Sequence, residues 1–334
     1  MKALVLNGIK AELKLEDVNI PVLNSDEALV EIRAAAVNHR DWWIQQGQYA
    51  GLKFPIILGS DGSGIVQKVS GNTENKNWIG KEVVLYPGFN WGADERFPSA
   101  NYKNLGLPDN GTFAEFVKIP IANLFEKPAH LNFDETAALP VAGLTAYRAL
   151  FVRGKLKAGQ KVLICGAGGG AAVFALQYAV AAGAQVFVTS GNEEKIEKAI
   201  RLGAIAGANY HDDDWAEKFQ AKYGSFDLII DSALGKGFKD LINLAAKGGT
   251  IVFFGETAGA IPELNGRTIF SKQLNICGSS AGSPADFKAM LDFIEQHKIH
   301  PIIDSVIALE DGETAMRTMD KGNSKYGKVV IKVK

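Results

Sequence analysis

Cysteine is nearly absent: the 334-residue chain carries only Cys165 and Cys277. Two thiols so far apart exclude a disulfide framework and any zinc site built from several thiolates. Such sparing use of cysteine suits a reducing compartment, so the expectation is a cytoplasmic protein. Long hydrophobic runs are also missing. No stretch reaches 18 apolar residues, so no membrane-spanning helix is expected. The opening MKALVLNGIKAEL interrupts its short apolar run with charge, unlike a secretory signal. Neither sign of charge dominates, since 36 Lys and Arg face 37 Asp and Glu. That balance argues against nucleic-acid binding through a broad basic face, while leaving room for a local anion site. What is present is a globular composition, with 47% hydrophobic and 22% charged residues. The length fits roughly two domains.

The first 125 or so residues read mainly as β structure. MKALVLNG, EALVEIRAAAV, SGIVQKVS, KEVVLYP and GTFAEFVKIP are short β-branched and apolar runs punctuated by Gly, Pro, Asn and Asp. They predict a small, partly closed barrel, with a long loop over 88–110. After Ala129 the texture changes. KVLIC (161–165) is a bare apolar run, as expected of a parallel strand covered on both faces. Strands and helices then alternate through QVFVTS, EEKIEKAIRLG, FDLIIDSA, FKDLINLAAKGG, TIVFFGE and LNICGSS. This is the pattern of a doubly wound parallel α/β sheet with about six strands. An amphipathic helix, SPADFKAMLDFIEQHKI, and a strand, KVVIKVK, follow.

The most informative motif is GAGGGAA (166–172), placed between an apolar strand and a helix. Glycines let a backbone approach a pyrophosphate, whose charge meets free N–H groups at the helix N-terminus. Gly168, Gly169, Gly170 and Ala171 are therefore candidate dinucleotide-binding residues. Most bare glycine triplets are merely loops, and here the strand–turn–helix context decides. An NAD site usually ends its second strand in a carboxylate that binds the ribose diol. Here that strand ends in Ser190, Gly191 and Asn192, with Lys195 beyond. Nothing acidic at the strand tip repels a 2′-phosphate, and Lys195 is either its counter-charge or an ordinary solvated helix residue. The expected cofactor is NADPH. Ser232, Phe254 and Gly255 follow later strands, at the carboxyl edge where open α/β sheets bind ligands.

The strings AAAVNHRDWWIQQGQY, FPIILGSDGSGIV, GTFAEF, AALPVAGLTAYRAL and GAGGGAAVFALQ, in this order and spacing, resemble the medium-chain dehydrogenase/reductase superfamily over nearly the whole chain. The resemblance implies a GroES-like catalytic domain from both chain ends, 1–127 and 283–334. A Rossmann domain, 128–282, is inserted between them, and the active site lies in the cleft. The departures matter equally. Where zinc alcohol dehydrogenases carry a Cys ligand this chain has Asn38, and where they carry His–Glu it has Ser60 and Asp61. The third ligand position falls near Val141, and 88–110 holds no Cys for a structural zinc. The chain resembles a zinc-free branch, similar to quinone oxidoreductases and related enone reductases.

Without a Lewis acid, alcohol oxidation is hard to catalyse, because the developing alkoxide needs a metal or a positioned acid. Hydride addition to a quinone or an α,β-unsaturated carbonyl fits better, since charge delocalises onto an oxygen held by hydrogen bonds. The resemblance makes Tyr49 a candidate proton donor, with a loop-covering role as the alternative. Asn38 faces substrate or cofactor, or bonds its own turn. Asp41, with His39 and Arg40, forms a proton relay or a structural ion pair. Trp42 and Trp43 either stack on a flat substrate or belong to the core. Thr145 and Tyr210 match cofactor-binding positions of relatives. Lys328 resembles a lysine near the cleft of relatives and is a candidate cofactor-binding residue, with a solvated edge charge as the alternative. Other functions are enoyl-thioester reduction, for which no basic groove is evident, and a nucleotide-binding structural or regulatory role without turnover. LNICG, apolar and last in the α/β run, is expected to be an edge strand that pairs two copies into a homodimer.

Overall fold

The computed structural model describes residues 1–320 and 325–334. It divides into two compact units, Met1–Leu144 with Gly282–Lys334, and Thr145–Ala281. The sequence placed the first crossing at 127/128. The chain stays with the first unit to Leu144 because helix α2 (Phe133–Ala137) packs on that unit's sheet: Ala137 and Ala138 bury against Ala34, Ala36 and Val330. Small side chains on both surfaces allow that close approach.

The first unit is built on strands β1 (Lys2–Leu6), β2 (Lys14–Asp17), β3 (Glu27–Ala36), β4 (Ile56–Ile57), β5 (Asp61–Val69) and β6 (Glu82–Leu85). Helix α1 (His39–Gln45) leaves the end of β3. Residues 88–110 are not the featureless loop expected from their weak periodicity. They form a small sheet of β7 (Gly88–Phe89), β8 (Lys103–Leu105) and β9 (Pro108–Asp109). Pairs this short leave no alternating pattern to read. β10 (Phe116–Pro120) pairs β3, and β11 (Leu124–Glu126) pairs β6. Helix α3 (Pro140–Tyr147) leads into the second unit.

That unit is a parallel sheet of β12 (Lys161–Ile164), β13 (Gln185–Ser190), β14 (Ala206–Asn209), β15 (Phe226–Asp231), β16 (Ala245–Phe253) and β17 (Asn275–Gly278). Their spatial order is β14-β13-β12-β15-β16-β17, with every neighbouring pair parallel. The intervening helices are α4 (Gly170–Ala181), α5 (Glu193–Arg201), α6 (Trp215–Tyr223), α7 (Phe238–Leu244) and α8 (Gly266–Lys272). Val162, Leu163 and Ile164 of β12 are fully buried, as an apolar run covered on both faces requires. β17 is an edge strand, as its place in the sequence predicted.

After helix α9 (Pro284–His297) come β18 (Ile303–Ala308), α10 (Gly312–Asp320) and β19 (Lys328–Lys332). β19 is inserted between β18 and β3, parallel to the former and antiparallel to the latter. The sequence-distant start of β19 thereby lies beside the end of β3. Among the described residues no helix is long and apolar enough to cross a membrane.

Candidate active site

The end of β3 and the starts of β5 and β19 bring three polar side chains together in the interior of the first unit. Lys328, only 4% exposed, directs its ammonium at the Val37 carbonyl (2.9 Å), Asn38 Oδ1 (2.6 Å) and Asp61 Oδ2 (3.0 Å). An ammonium has three protons, and all three are spent. Lys328 is thus no solvated edge charge. The cofactor role expected of it would require one of these bonds to break. The other oxygen of Asp61 accepts the Val141 N–H at 2.8 Å. Positions 38, 61 and 141, named as counterparts of metal ligands, do converge, but around a lysine.

The fit to a zinc ion follows from these donors. Asp61 has both oxygens engaged, Asn38 offers a neutral amide already bonded through its oxygen, and Val141 offers an N–H. Among the described residues no three His, Cys, Asp or Glu side chains cluster as metal ligands. The residues present do not fit zinc, and the fixed positive charge here is the Lys328 ammonium.

Asp41, on the first turn of α1, is fully buried and accepts the Asn38 N–H at 2.9 Å. Loss of water pushes its carboxyl up to about 6, a rise opposed by the nearby Arg40 cation and the Asn38 N–H. Because the folded value lies above the unfolded one, the native state binds the extra proton between about pH 4 and 6. Stability contributed by this group therefore falls as pH rises through that window, by about 3 kcal/mol in all. Asp41→Asn is expected to remove that slope. Urea unfolding at pH 4, 5, 6 and 7 should show the variant gaining on the parent as pH rises, and parallel curves would contradict it.

Arg40 sends Nη1 to Ser60 Oγ and to the Leu105 carbonyl (2.8 Å), and its guanidinium carbon lies 5.3 Å from the Tyr49 ring centre. Tyr49 is 38% exposed, so its hydroxyl is not sealed in the core. Tyr102, just before β8, donates to Asn104 Oδ1 at 2.8 Å. Burial pushes its phenol well up. His39 is exposed, and Trp42 is half-buried against the hydrophobic core. Sequence reasoning set Arg40 beside Asp41 but missed its bond to Ser60. The NHRD string shows the charge but not its destination.

In the second unit the predicted cofactor residues, Thr145 apart, lie at the carboxyl end of β13 or in the turns and helix starts that follow β12, β13, β14, β15 and β16. Gly166 and Gly168 take φ of +73° and +126°, Gly169 caps α4, and Gly170 and Ala171 form its first turn. A Cβ at Gly168 would lie 2.6 Å from Lys195 Cδ, so the lysine stem runs across the glycine turn. Ser190 is buried, and its Oγ accepts the Asn192 N–H at 3.3 Å. Asn192 caps α5 through the Lys195 N–H, which gives it a structural task. Tyr210 O–H and His211 Nε2 both stand against Gly191, where a Cβ would meet them at 2.8 and 2.6 Å. His211 was not foreseen. Ser232 Oγ faces Gly166, where a Cβ would lie 3.7 Å from it. Gly255 presses on the Ser232 carbonyl, and the Phe254 N–H bonds the Asp231 carbonyl at 3.1 Å. Thr145 is half-buried on α3. Cys165 is buried with its thiol pushed well up by desolvation, an inert core group as expected.

A glycine turn at a helix N-terminus in one unit, and a buried polar cluster on a barrel sheet in the other, define an α/β oxidoreductase of two-domain type. The chain belongs to the medium-chain dehydrogenase/reductase family. It matches "Alcohol dehydrogenase GroES-like domain" over residues 24–129 and "Zinc-binding dehydrogenase" over residues 170–296. It is 33% identical to "Zinc-type alcohol dehydrogenase-like protein YogA" of Leptosphaeria maculans, covering 96% of this chain and 94% of that one. It is 29% identical to "Acryloyl-coenzyme A reductase" of Sulfurisphaera tokodaii, covering 99% and 100%. The crystal structure of an NAD-dependent alcohol dehydrogenase superposes with a TM-score of 0.92 at 33% identity, covering 100% of both chains.

Proposed function

We propose that this oxidoreductase uses NADPH to reduce a quinone or an α,β-unsaturated carbonyl without a metal. The observation that carries the reading is the Lys328 ammonium bonded to Asn38 and Asp61, where a metal would need free ligands. One relative named above is called a zinc-type alcohol dehydrogenase-like protein and the solved structure an NAD-dependent alcohol dehydrogenase, but those names do not supply the missing ligands. The acryloyl-coenzyme A reductase is named for a conjugated thioester, in keeping with reduction of an activated double bond.

The cofactor, when bound, supplies hydride. The glycine turn fits its pyrophosphate, because only Gly tolerates φ of +126° with a lysine stem packed against it. Ser190, Gly191, Lys195 and Tyr210 receive the adenosine ribose and its 2′-phosphate. Thr145, Ser232, Phe254 and Gly255 hold the remainder. On the substrate side, Asn38 and Tyr49 bind the carbonyl oxygen, and Asp41 fixes the start of α1, which lies between them in the chain. Two copies pair through the edge strand β17.

The test is NADPH oxidation followed at 340 nm with a panel of quinones and enones. Turnover that survives chelators supports the reading. Zinc-dependent oxidation of simple alcohols, with no enone turnover, would overturn it. Ser190→Asp sets a carboxylate against the 2′-phosphate, and like charges brought together cost several kcal/mol. The ratio of NADPH to NADH affinity should fall by about a hundredfold or more, read from titrations of cofactor fluorescence. An unchanged ratio would remove Ser190 from the cofactor site.

A further inference from the structure

An amide has two ends of nearly equal size, and its neighbours decide which way it faces. At Asn38 the deciding neighbour is a cation that can only donate. Lys328 Nζ stands 2.6 Å from Oδ1, and a flipped amide would set N–H against an ammonium. Lys328 is itself held by Asp61 and the Val37 carbonyl, and Asp61 by the Val141 N–H. The orientation of Asn38 is therefore dictated from the last strand of the chain.

The other end of that amide is unsatisfied. Asn38 is 7% exposed, and its Nδ2 has no hydrogen-bond partner among the described residues. Arg40 Nε, two residues along the same helix, is also buried without a partner. Buried donors are costly to leave unmade. Both nitrogens belong to side chains otherwise anchored at Ser60 and, through Lys328, at Asp61, and an oxygen brought by a ligand would satisfy the one it reaches.

We propose that Lys328 is a positioning residue. It locks the Asn38 amide so that Nδ2 donates to the carbonyl oxygen of the substrate. The inference rests on the reductase reading. As hydride adds to the β-carbon, the C=C π pair shifts to make the bond between Cα and the carbonyl carbon double, and the C=O π pair moves onto oxygen as an enolate. The Nδ2 donor meets that oxygen, and a proton then adds at the α-carbon to give the saturated carbonyl. An aspartate at position 38 would offer only acceptors and could not do this, although it has the same shape.

The test uses the whole enzyme and two readouts. The first is steady-state reduction of an enone. The second is binding of 4-nitrophenol, whose phenolate mimics the enolate and absorbs near 400 nm. The parent should bind the phenolate form preferentially, lowering the apparent pKa of the bound probe. Asn38→Asp should abolish that preference and lower kcat about 10²–10³-fold, with NADPH affinity unchanged. Lys328→Met should do the same while KM moves little. Should that variant fail to fold, the double substitution Asp61→Asn with Lys328→Met removes both charges, and the same losses are expected. Either Lys328 variant, folded and retaining the parental kcat and probe preference, would overturn the positioning role. Loss of NADPH affinity in Asn38→Asp, with probe binding intact, would assign the amide to the cofactor and also overturn it. An enzyme that ignores all enones yet shows the probe shift and its loss in the variants would fail the reductase reading and leave the lock standing.

Discussion

Asp61→Ala is expected to lower the unfolding free energy by about 3–5 kcal/mol, the usual cost of removing one partner from a buried ion pair. The variant strips the Lys328 ammonium of its anion in a place that is 4% and 0% exposed at the two side chains. It also strands the Val141 N–H, which donates to the same carboxylate. The surface pairs make the contrast. Lys288 and Asp292 stand 2.6 Å apart with both side chains about two-thirds exposed, and Asp292→Ala should change stability by less than about 1 kcal/mol. Chemical denaturation of both variants at one pH tests the difference. Equal, small effects would mean that the interior cluster is hydrated and that its electrostatics are ordinary.

Gly111→Ala is expected to destabilise the first unit by about 3 kcal/mol or more, through overpacking with no room to relax. An added Cβ would stand 2.0 Å from the Gly59 carbonyl oxygen, 2.6 Å from that of Leu58 and 2.8 Å from Gly106 Cα. All three are backbone atoms, so no rotamer can give way. The same segment ties residues 57–59 through the Gly111, Thr112 and Phe113 N–H groups. Whatever shifts there also shifts Ser60 and Asp61, so turnover should fall along with the melting temperature. Gly8→Ala, with nothing within 4 Å of its added Cβ, is the neutral control. Identical melting curves for the two variants would show that the strands can part without cost.

The fold was legible because each level of the sequence agreed with the next. A bare apolar strand, a glycine turn and a helix repeat the logic of a parallel sheet, and the edge position of β17 followed from its being last. The strings NHRD, LGSDGSG and GTFAEF were legible as motifs, and the structure gives their physical content. The first turns a helix off β3, the second begins β5, and the third locks the two together by backbone packing. The role of Lys328 was not legible. Its partners lie 290 and 267 residues away, and nothing local distinguishes it from an edge charge. The short strands of 88–110 were hidden for a different reason, being too brief to show a period. His211 escaped because it follows a predicted ligand, in a run of three aspartates that reads as solvated charge.

The position of β19 also sets an order of assembly during synthesis. Residues Thr145–Ala281 form a compact unit of their own, and all of them precede Lys328. At roughly 5–20 residues per second, a ribosome reaches β19 some seconds after that unit is complete. Until then the edge of β3 at Ala34–Ala36 lacks the strand that finally pairs with it. The nascent barrel thus carries an open sheet edge and a buried aspartate without its cation through most of translation. Chaperone capture of stalled chains should therefore concentrate on the segment around β3 and β5, and release from it should depend on the synthesis of β19.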